Sequence, residues 1–380
     1  MLPEHPRRAG PIAQDMQEPG VFKIAVFAKT DIGMVRSGNE DNFLILNLST
    51  ADTWTPDTVS GDPDERLTTF TQSRVGSLLA VTDGMGGALA GEVASRLAVE
   101  CVRDRMLELQ SSPTYSKFPF HERLRLSIEL ANVHIFQMSM KRPECQGMGA
   151  TFTALGLNGK TAYFGQVGDS RAYIIRAGQI QQVTRDQSLV GQLVQSGHIT
   201  EEEAERHSYK NVILQALGAA PRVNVTVDKL PLRDLDIVVL CSDGLSNKVR
   251  AEEIKHIVDR APSLKEACED LIMLANQRGG EDNITALVTQ FTGGGLPPPD
   301  APYEDSISSA EGGTIPLSSE RSLSMIAGSS LLARWGVETI PRDPTLPLEV
   351  NLDAMEEEET LRPTEARTQS IPTEKLESET

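Results

Sequence analysis

Acidic residues stand beside short apolar runs at five places along the chain, and this pattern could support metal chemistry. Each apolar run has the length of a buried strand, and the Gly or Asn near each acid predicts a turn at the end of that strand. Acidic turns are common singly, but five of them can share one place if their strands belong to one core. The five acids are Asp41, Asp83, Asp169, Asp243 and Asp282.

Carboxylates that converge without a neighbouring His or Cys predict an oxygen-only metal site. Such a site suits Mg²⁺ or Mn²⁺ rather than Zn²⁺. Two such ions about 4 Å apart can bind a phosphate ester, lower the pKa of a bridging water and stabilise the leaving oxygen. Arg36, just before the first acidic turn, could add a bidentate grip on the phosphate oxygens.

The order of the predicted elements favours antiparallel sheets with helices outside them. Helices are expected in pairs, at residues 88–109 and 122–140 and again at 250–259 and 264–277. Between the pairs, strands follow one another closely over residues 151–183, with Asn-Gly and Ala-Gly as hairpin turns. Grouped strands and paired helices indicate an α+β fold rather than a doubly wound parallel sheet.

Composition and charge exclude several classes of protein. The net charge of -18 argues against a non-specific binder of nucleic acid or anionic membranes, because either partner requires a basic face. No run approaches the roughly 18 apolar residues of a membrane span. The four cysteines are scattered without metal-ligand or disulfide spacing, so we expect a cytoplasmic protein in a reducing compartment.

Three segments are expected to lie outside the regular core. Residues 49–74 are rich in Thr, Asp, Pro and Ser, which predicts a surface loop. Residues 186–217 contain short helical pieces and are expected to form a flap. Residues 1–20 predict a disordered arm, so the folded domain should span 21–292.

The C-terminal segment, residues 293–380, differs in character from the rest of the chain. Its 17 acidic and 6 basic residues carry -11 of the net charge of -18. With few aromatic residues, it cannot bury enough apolar surface to order itself, so a disordered acidic tail is predicted, which serves either regulation or only solvation. Three hydroxyl-Ile-Pro segments recur in it, beginning at Thr314, Thr339 and Ser370.

Six separated motifs, spread in order over residues 30 to 290, resemble the bacterial PP2C-type (PPM) metal-dependent serine/threonine protein phosphatases. The motifs are TDIGMVRSGNEDNF, AVTDGMGG, GMGATFTAL, GQVGDSRAYIIRAG, VVLCSDGLSNKV and GGEDNITALV. The resemblance implies a four-layer αββα sandwich of two antiparallel sheets flanked by helix pairs. It also implies a monomer that hydrolyses phosphoserine and phosphothreonine on the protein substrates of a cognate kinase, with two Mn²⁺ or Mg²⁺ ions and no phosphoenzyme.

The resemblance further implies a role for each acidic turn. Asp83 corresponds to the carboxylate that bridges both metals, and the Gly84 backbone carbonyl to a ligand of the second metal. The other ligands implied are Asp243 and Asp282 for the first metal, Glu40 and Asp41 for the second, and Asp169 with Asp243 for a weaker third ion. Arg36 corresponds to the phosphate-binding arginine.

The chain departs from the family pattern at two positions. Met85 stands where animal relatives have a His that is proposed to be the general acid. Gln187 stands where many bacterial members have His. His198 and His207 in the flap are expected to be structural. Two alternatives stay open: a catalytically inactive binding or scaffold module, and a small-molecule phosphatase that differs only in the flap. An inactive module usually lacks a metal carboxylate, and here all are present.

Overall fold

The computed structural model describes residues 21–59, 61–301 and 307–310, which belong to one compact unit. The predicted N-terminal arm and the three hydroxyl-Ile-Pro segments lie outside the described residues. The strands are β1 (Lys23–Asp31), β2 (Asp41–Asn47), β3 (Thr53–Trp54), β4 (Thr69–Thr71), β5 (Ser77–Met85), β6 (Gly149–Ala150), β7 (Phe152–Asn158), β8 (Thr161–Val167), β9 (Arg171–Arg176), β10 (Gln179–Gln182), β11 (Thr226–Pro231), β12 (Ile237–Cys241), β13 (Ile284–Thr292) and β14 (Ser308–Ser309). The α-helices are α1 (Glu65–Thr68), α2 (Ala88–Ser111), α3 (Phe120–Lys141), α4 (Leu189–Gln195), α5 (Glu201–Arg206), α6 (Asp243–Ser246), α7 (Ala251–Arg260) and α8 (Leu264–Gln277).

The strands form two antiparallel sheets. One has the order β10-β9-β12-β13-β1-β4, and the other has the order β14-β11-β8-β7-β5-β2-β3, with β6 paired to β5. Helices α2 and α3 cover the outer face of the second sheet, while α7 and α8 cover the outer face of the first. The predicted four-layer αββα sandwich is confirmed.

The central strands are buried on both faces, which explains their continuous apolar runs. In β5, Leu79 and Val81 pack between the sheets, whereas Leu78 and Ala80 pack beneath the helices. Successive side chains of a strand point to opposite faces, so both faces of such a strand must be apolar. An antiparallel sheet covered on both sides therefore has strands that read like those of a buried parallel sheet.

The predicted surface loop over residues 49–74 is not simply a loop. It contributes β3, α1 and β4, and β4 pairs with the edge of β1. Trp54 is 4% exposed, and its ring lies edge-on to Phe27 and Phe43 at centroid distances of 5.3 Å. The expectation was wrong because one buried aromatic side chain anchors a segment that otherwise consists of turn-forming residues.

Residues 186–217 form an excursion that contains α4 and α5. One isolated bridge, Ser188 with Ile213, lies within the excursion, and a second, Ala150 with Leu217, ties its C-terminal end to the body. Just beyond it, the Gly218 backbone N–H donates to the Asn132 side chain of α3 at 2.8 Å. The flap is thus tied to the sheet and to α3 at its base.

The packed body extends past the predicted boundary at residue 292. Leu296 and Ala310 are buried, and the Asp234 backbone N–H donates to the carbonyl of Pro297 at 2.8 Å. Strand β14 pairs with β11 and forms the edge of the second sheet. The boundary was placed too early because the unpaired edge of β11, which this segment covers, is a tertiary feature that local composition does not reveal.

We expect Leu296→Ala to destabilise the protein measurably. Truncating a buried leucine removes transfer free energy and leaves a cavity, so the free energy of unfolding should fall by about 2–3 kcal/mol. Urea denaturation followed by circular dichroism measures this change. Leu89, which is 78% exposed, supplies the matched control, and Leu89→Ala should change the value by less than about 0.5 kcal/mol. Equal stabilities of the two variants would show that residues 293–296 do not hold to the body.

Candidate metal and phosphate site

Two of the predicted acids face each other across neighbouring strands at one end of the sandwich. Asp41 begins β2 and lies directly opposite Asp83 near the end of β5. Opposed residues of an antiparallel pair project to the same face with Cβ atoms about 4.5–5.5 Å apart. The backbone register alone therefore brings these two carboxylates together.

Hydroxyl groups from the other sheet orient the Asp41 carboxylate. Its Oδ2 accepts hydrogen bonds from Ser242 Oγ at 2.6 Å and from Thr285 Oγ1 at 2.7 Å. Ser242 directly follows β12, and Thr285 belongs to β13. Asp41 is 5% exposed, and its Oδ1 has no hydrogen-bond partner among the described residues.

The turn after Asp83 is held closely between three elements. The Asp83 N–H donates to Thr151 Oγ1 at 2.9 Å, and the Gly84 N–H donates to the Glu40 carbonyl at 3.1 Å. A Cβ on Gly84 would lie 2.1 Å from the backbone oxygen of Gly91 in α2. Only glycine fits between the start of β2 and the first turns of α2, so the backbone of this turn packs directly against α2.

The other three acids stand at the ends of strands that lead to the same place. Asp169 follows β8, Asp243 opens α6 directly after β12, and Asp282 precedes β13. The Oδ1 atoms of Asp169 and Asp243 are buried and have no hydrogen-bond partner among the described residues. The charges of the other four acids all act on Asp83, so the five acidic side chains lie near one another at one end of the sheets.

Burial and mutual repulsion raise the pKa values of the Asp41, Asp83, Asp169 and Asp243 carboxyls. Burial is the main cause for Asp41, whose pKa rises to about 7 against hydrogen bonds from Ser242 and Thr285 that lower it. Burial, followed by the charge of Asp243, raises the pKa of Asp169 to about 7. The pKa of Asp83 lies well above its ordinary value because of burial and the charges of the other four acids.

The donor set fits divalent cations that prefer oxygen ligands. Buried carboxylate oxygens without partners are costly unless a cation compensates them, and three of the acids carry such an oxygen. Within the described ranges, no three His, Cys, Asp or Glu side chains form a group that could hold a metal ion as they stand. The fit to Mg²⁺ or Mn²⁺ therefore rests on the oxygen donors that the acids supply and not on a preformed ligand shell.

Arg36 and Glu40 lie beside the cluster of five acids. Arg36 Nη2 donates to Asp282 Oδ2 at 2.9 Å, and about half of its side chain is exposed. The Glu40 carboxylate lies against Gly91 of α2, where a Cβ would come within 2.5 Å of its Oε2. Burial raises the pKa of Glu40, and the nearby Arg36 opposes that shift.

Residues without charge complete the site, and the sequence analysis did not single them out. Besides Ser242, Thr285 and Thr151, the side chain of Asn283 binds three backbone groups. It accepts from the Glu40 N–H at 2.8 Å and donates to the carbonyls of Ile32 and Gly38 at 2.9 and 3.0 Å. Asn283 directly follows Asp282 in its motif. A polar side chain next to a predicted metal ligand was the sequence signal that could have identified it.

The two residues that depart from the family pattern and the two histidines of the flap have structural contacts. Gln187 accepts from the Gly168 N–H at 2.9 Å and so braces the turn that carries Asp169. His198 shares a hydrogen bond with Ser196 at 2.6 Å, and His207 accepts from the Tyr209 N–H at 3.2 Å, both within the flap. Met85 pairs with Gly149 at the end of β5.

Comparison with known proteins agrees with this geometry. Residues 59–287, more than half of the chain, match the sequence model of the Protein phosphatase 2C family. The chain belongs to this family. The serine/threonine phosphatase stp of Listeria welshimeri is 37% identical over 213 residues, which cover 56% of this chain and 84% of that relative.

Solved structures of this phosphatase family share the fold. The Mycobacterium tuberculosis serine/threonine phosphatase PstP/Ppp matches with a TM-score of 0.57 and 32% identity, over 71% of this chain and all (100%) of that one. The catalytic domain of PstP in complex with two manganese ions matches with a TM-score of 0.56 and 31% identity, over 72% of this chain and 100% of that chain. Metal dependence is thus a property of the family to which this phosphatase belongs.

The raised carboxyl pKa values predict how metal binding depends on pH. A carboxyl with a raised pKa holds its proton more tightly in the folded protein, so the metal-free protein loses stability as pH rises from about 4 through about 7. A bound cation replaces those protons. We therefore expect Mn²⁺ to raise the melting temperature more at pH 7.5 than at pH 5.5, by at least several degrees.

Scanning calorimetry with chelator or with Mn²⁺ at both pH values tests this expectation. Asp169→Asn should reduce the difference between the two pH values, whereas the exposed control Asp57→Asn should preserve it. A Mn²⁺ effect that is equal at pH 5.5 and 7.5 in the parent protein would contradict the linkage.

The pairing of Arg36 with Asp282 predicts that loss of the Arg36 side chain has opposite effects on the binding of phosphate and of Mn²⁺. Arg36→Ala should weaken the binding of inorganic phosphate about tenfold or more, because it removes a charge-assisted grip. It should strengthen Mn²⁺ binding up to about fivefold, since an exposed ion pair that competes for Asp282 contributes at most about 1 kcal/mol. Titration calorimetry measures both, with Arg96→Ala on α2 as the control. Clearly weaker Mn²⁺ binding would instead make Arg36 part of the metal scaffold.

Proposed function

We propose that this PP2C-family phosphatase hydrolyses phosphoserine and phosphothreonine on proteins with two Mn²⁺ or Mg²⁺ ions. The observation that carries the proposal is the convergence of five acidic strand ends beside Arg36 at one end of the sandwich. Its relatives carry the name serine/threonine phosphatase, and one of the related structures holds two manganese ions.

Each acid has a proposed role. Asp83 would bridge both ions and the Gly84 carbonyl would bind the second, Asp243 and Asp282 would hold the first, Glu40 and Asp41 would approach the second, and Asp169 with Asp243 would hold a weaker third. When bound, such ions neutralise phosphate charge and lower the pKa of a water that attacks phosphorus. The chain itself orients Asp41 through Ser242 and Thr285.

Arg36 has the proposed task of holding the substrate phosphate. Its guanidinium is partly exposed and lies beside Asp282, where an entering phosphate can reach it. A planar guanidinium can donate two parallel hydrogen bonds to phosphate oxygens, which fixes the orientation of the phosphorus. Because the bound phosphate is already oriented, less entropy is lost on reaching the transition state.

The proposed partners are proteins that a serine/threonine kinase has phosphorylated. The phosphatase is proposed to bind them as a monomer in the cytoplasm. Four buried cysteines are free thiols, which agrees with a reducing compartment. Among the described residues, no helix has the length and apolar character to cross a membrane. The inactive-module alternative is disfavoured, since every carboxylate that the metal roles require is present.

We expect Asp83→Asn to abolish most of the activity. The change removes the negative charge that would hold two like-charged ions close together, so kcat/KM on a phosphothreonine peptide should fall by roughly three powers of ten or more. Chelation of the parent enzyme should have the same effect, and added Mn²⁺ or Mg²⁺ should reverse it. Asp57→Asn is the matched control and should retain the parent rate.

Turnover is measured as release of inorganic phosphate. An Asp83→Asn enzyme within tenfold of the parent would rule out the bridging role. Full activity in chelator would rule out the metal-dependent reaction altogether.

A further inference from the structure

Three large apolar side chains lie exposed in the loop that leads to Arg36. Ile32 is 39% exposed, Met34 is 70% exposed and Val35 is 67% exposed. We refer to these three residues as the apolar shelf. Single exposed apolar residues are ordinary, but a contiguous group beside a functional site indicates an interaction surface.

The apolar shelf is held in place by backbone contacts. The Gly33 N–H donates to Asp31 Oδ1 at 2.9 Å, and Asn276 from α8 donates to the same oxygen at 3.0 Å. The Met34 N–H donates to the Gly280 carbonyl at 2.7 Å. The loop is therefore fastened to α8 and to the turn that precedes Asp282.

Close packing further restricts this loop. Gly33 has φ +81°, and a Cβ there would lie 2.2 Å from the Asp282 carbonyl oxygen. The Asn283 side chain donates to the Ile32 carbonyl at 2.9 Å. The exposure of the apolar shelf is thus imposed by the same turn that carries a proposed metal ligand.

The position of the shelf relates it to the peptide that carries the phosphate. Val35 and Met34 are one and two residues from Arg36, and consecutive Cα atoms lie about 3.8 Å apart. The Arg36 guanidinium contacts Asp282 and the Met34 backbone contacts Gly280, so the shelf and a phosphate bound by Arg36 lie beside the same short turn. The shelf carries no charge, so it offers burial to apolar neighbours and nothing to charged ones.

We propose that the apolar shelf determines specificity for phosphorylated segments with a large apolar residue within two positions of the phosphorylated residue. This inference rests on the proposed function. Arg36 complements the phosphate charge, and the shelf belongs to the same loop, so one extended peptide can contact both. The contribution is to substrate affinity, because the shelf lies outside the cluster of carboxylates.

A synthetic phosphothreonine peptide with the sequence of residues 311–318 provides a suitable probe. In this peptide, two glycines precede the phosphothreonine and isoleucine directly follows it. Replacing that isoleucine by serine should lower kcat/KM about tenfold, mainly by raising KM, since an open shelf buries only part of the side chain. A third peptide, with the isoleucine moved to the preceding position, shows on which side the contact is made.

Variants of the shelf provide the second test. Val35→Thr keeps the side-chain shape, and Met34→Ser removes the largest exposed group; each should reduce the preference for the isoleucine peptide over the serine peptide. Met140 at the end of α3, which is 73% exposed, supplies the matched control, and Met140→Ser should preserve the preference. Thermal melting verifies that each variant is folded.

The outcomes separate this inference from the proposed function. Equal kcat/KM for all three peptides with the parent enzyme would overturn the specificity role while leaving the phosphatase activity established. A preference that survives both shelf substitutions would also overturn it. Hydrolysis of none of the peptides in the presence of Mn²⁺ would overturn the proposed function, and the inference with it.

Discussion

The constraint that the structure must satisfy is the burial of several like-charged carboxyls at one end of a two-sheet core. Burial and mutual repulsion raise the pKa values of Asp41, Asp83, Asp169 and Asp243, so this end of the molecule stores unfavourable electrostatic energy. The core of large apolar side chains between and outside the sheets supplies the stability that offsets it. A cation that binds there converts the repulsion into attraction, which is why such a cluster fits metal chemistry.

Rigid sheets and uncharged hydrogen-bonding groups share the task of holding the carboxylates. The register of β2 with β5 sets the spacing of Asp41 and Asp83, and hydroxyls from the opposite sheet orient the Asp41 carboxylate. Sites on strands are placed more accurately than sites on loops. Arg36, the apolar shelf and the flap, which we propose meet the substrate, instead belong to connections, where variation changes specificity without disturbing the core.

Two peripheral segments show how tertiary contacts override composition. Residues 49–74 have the composition of a loop, yet Trp54 fills a space between Phe27 and Phe43. Beyond residue 292, Gly-rich and Pro-rich sequence is bound by Asp234 and Arg233, and β14 pairs with the edge of β11. In both cases a few buried contacts are sufficient to order a segment whose local propensities are weak.

The sequence by itself determined the class of fold, and it predicted the charged residues of the site. Strand length, hairpin turns and helix periodicity are local properties, and the motifs around Asp83, Asp243 and Asp282 stand next to strand ends that can be recognised locally. Only the tertiary structure decided which uncharged groups support them. Asn283 bridges three backbone groups, and Ser242 and Thr285 come from a different sheet than Asp41. Sequence separations of 201 and 244 residues carry no local signal, so such contacts depend on how the two sheets stack.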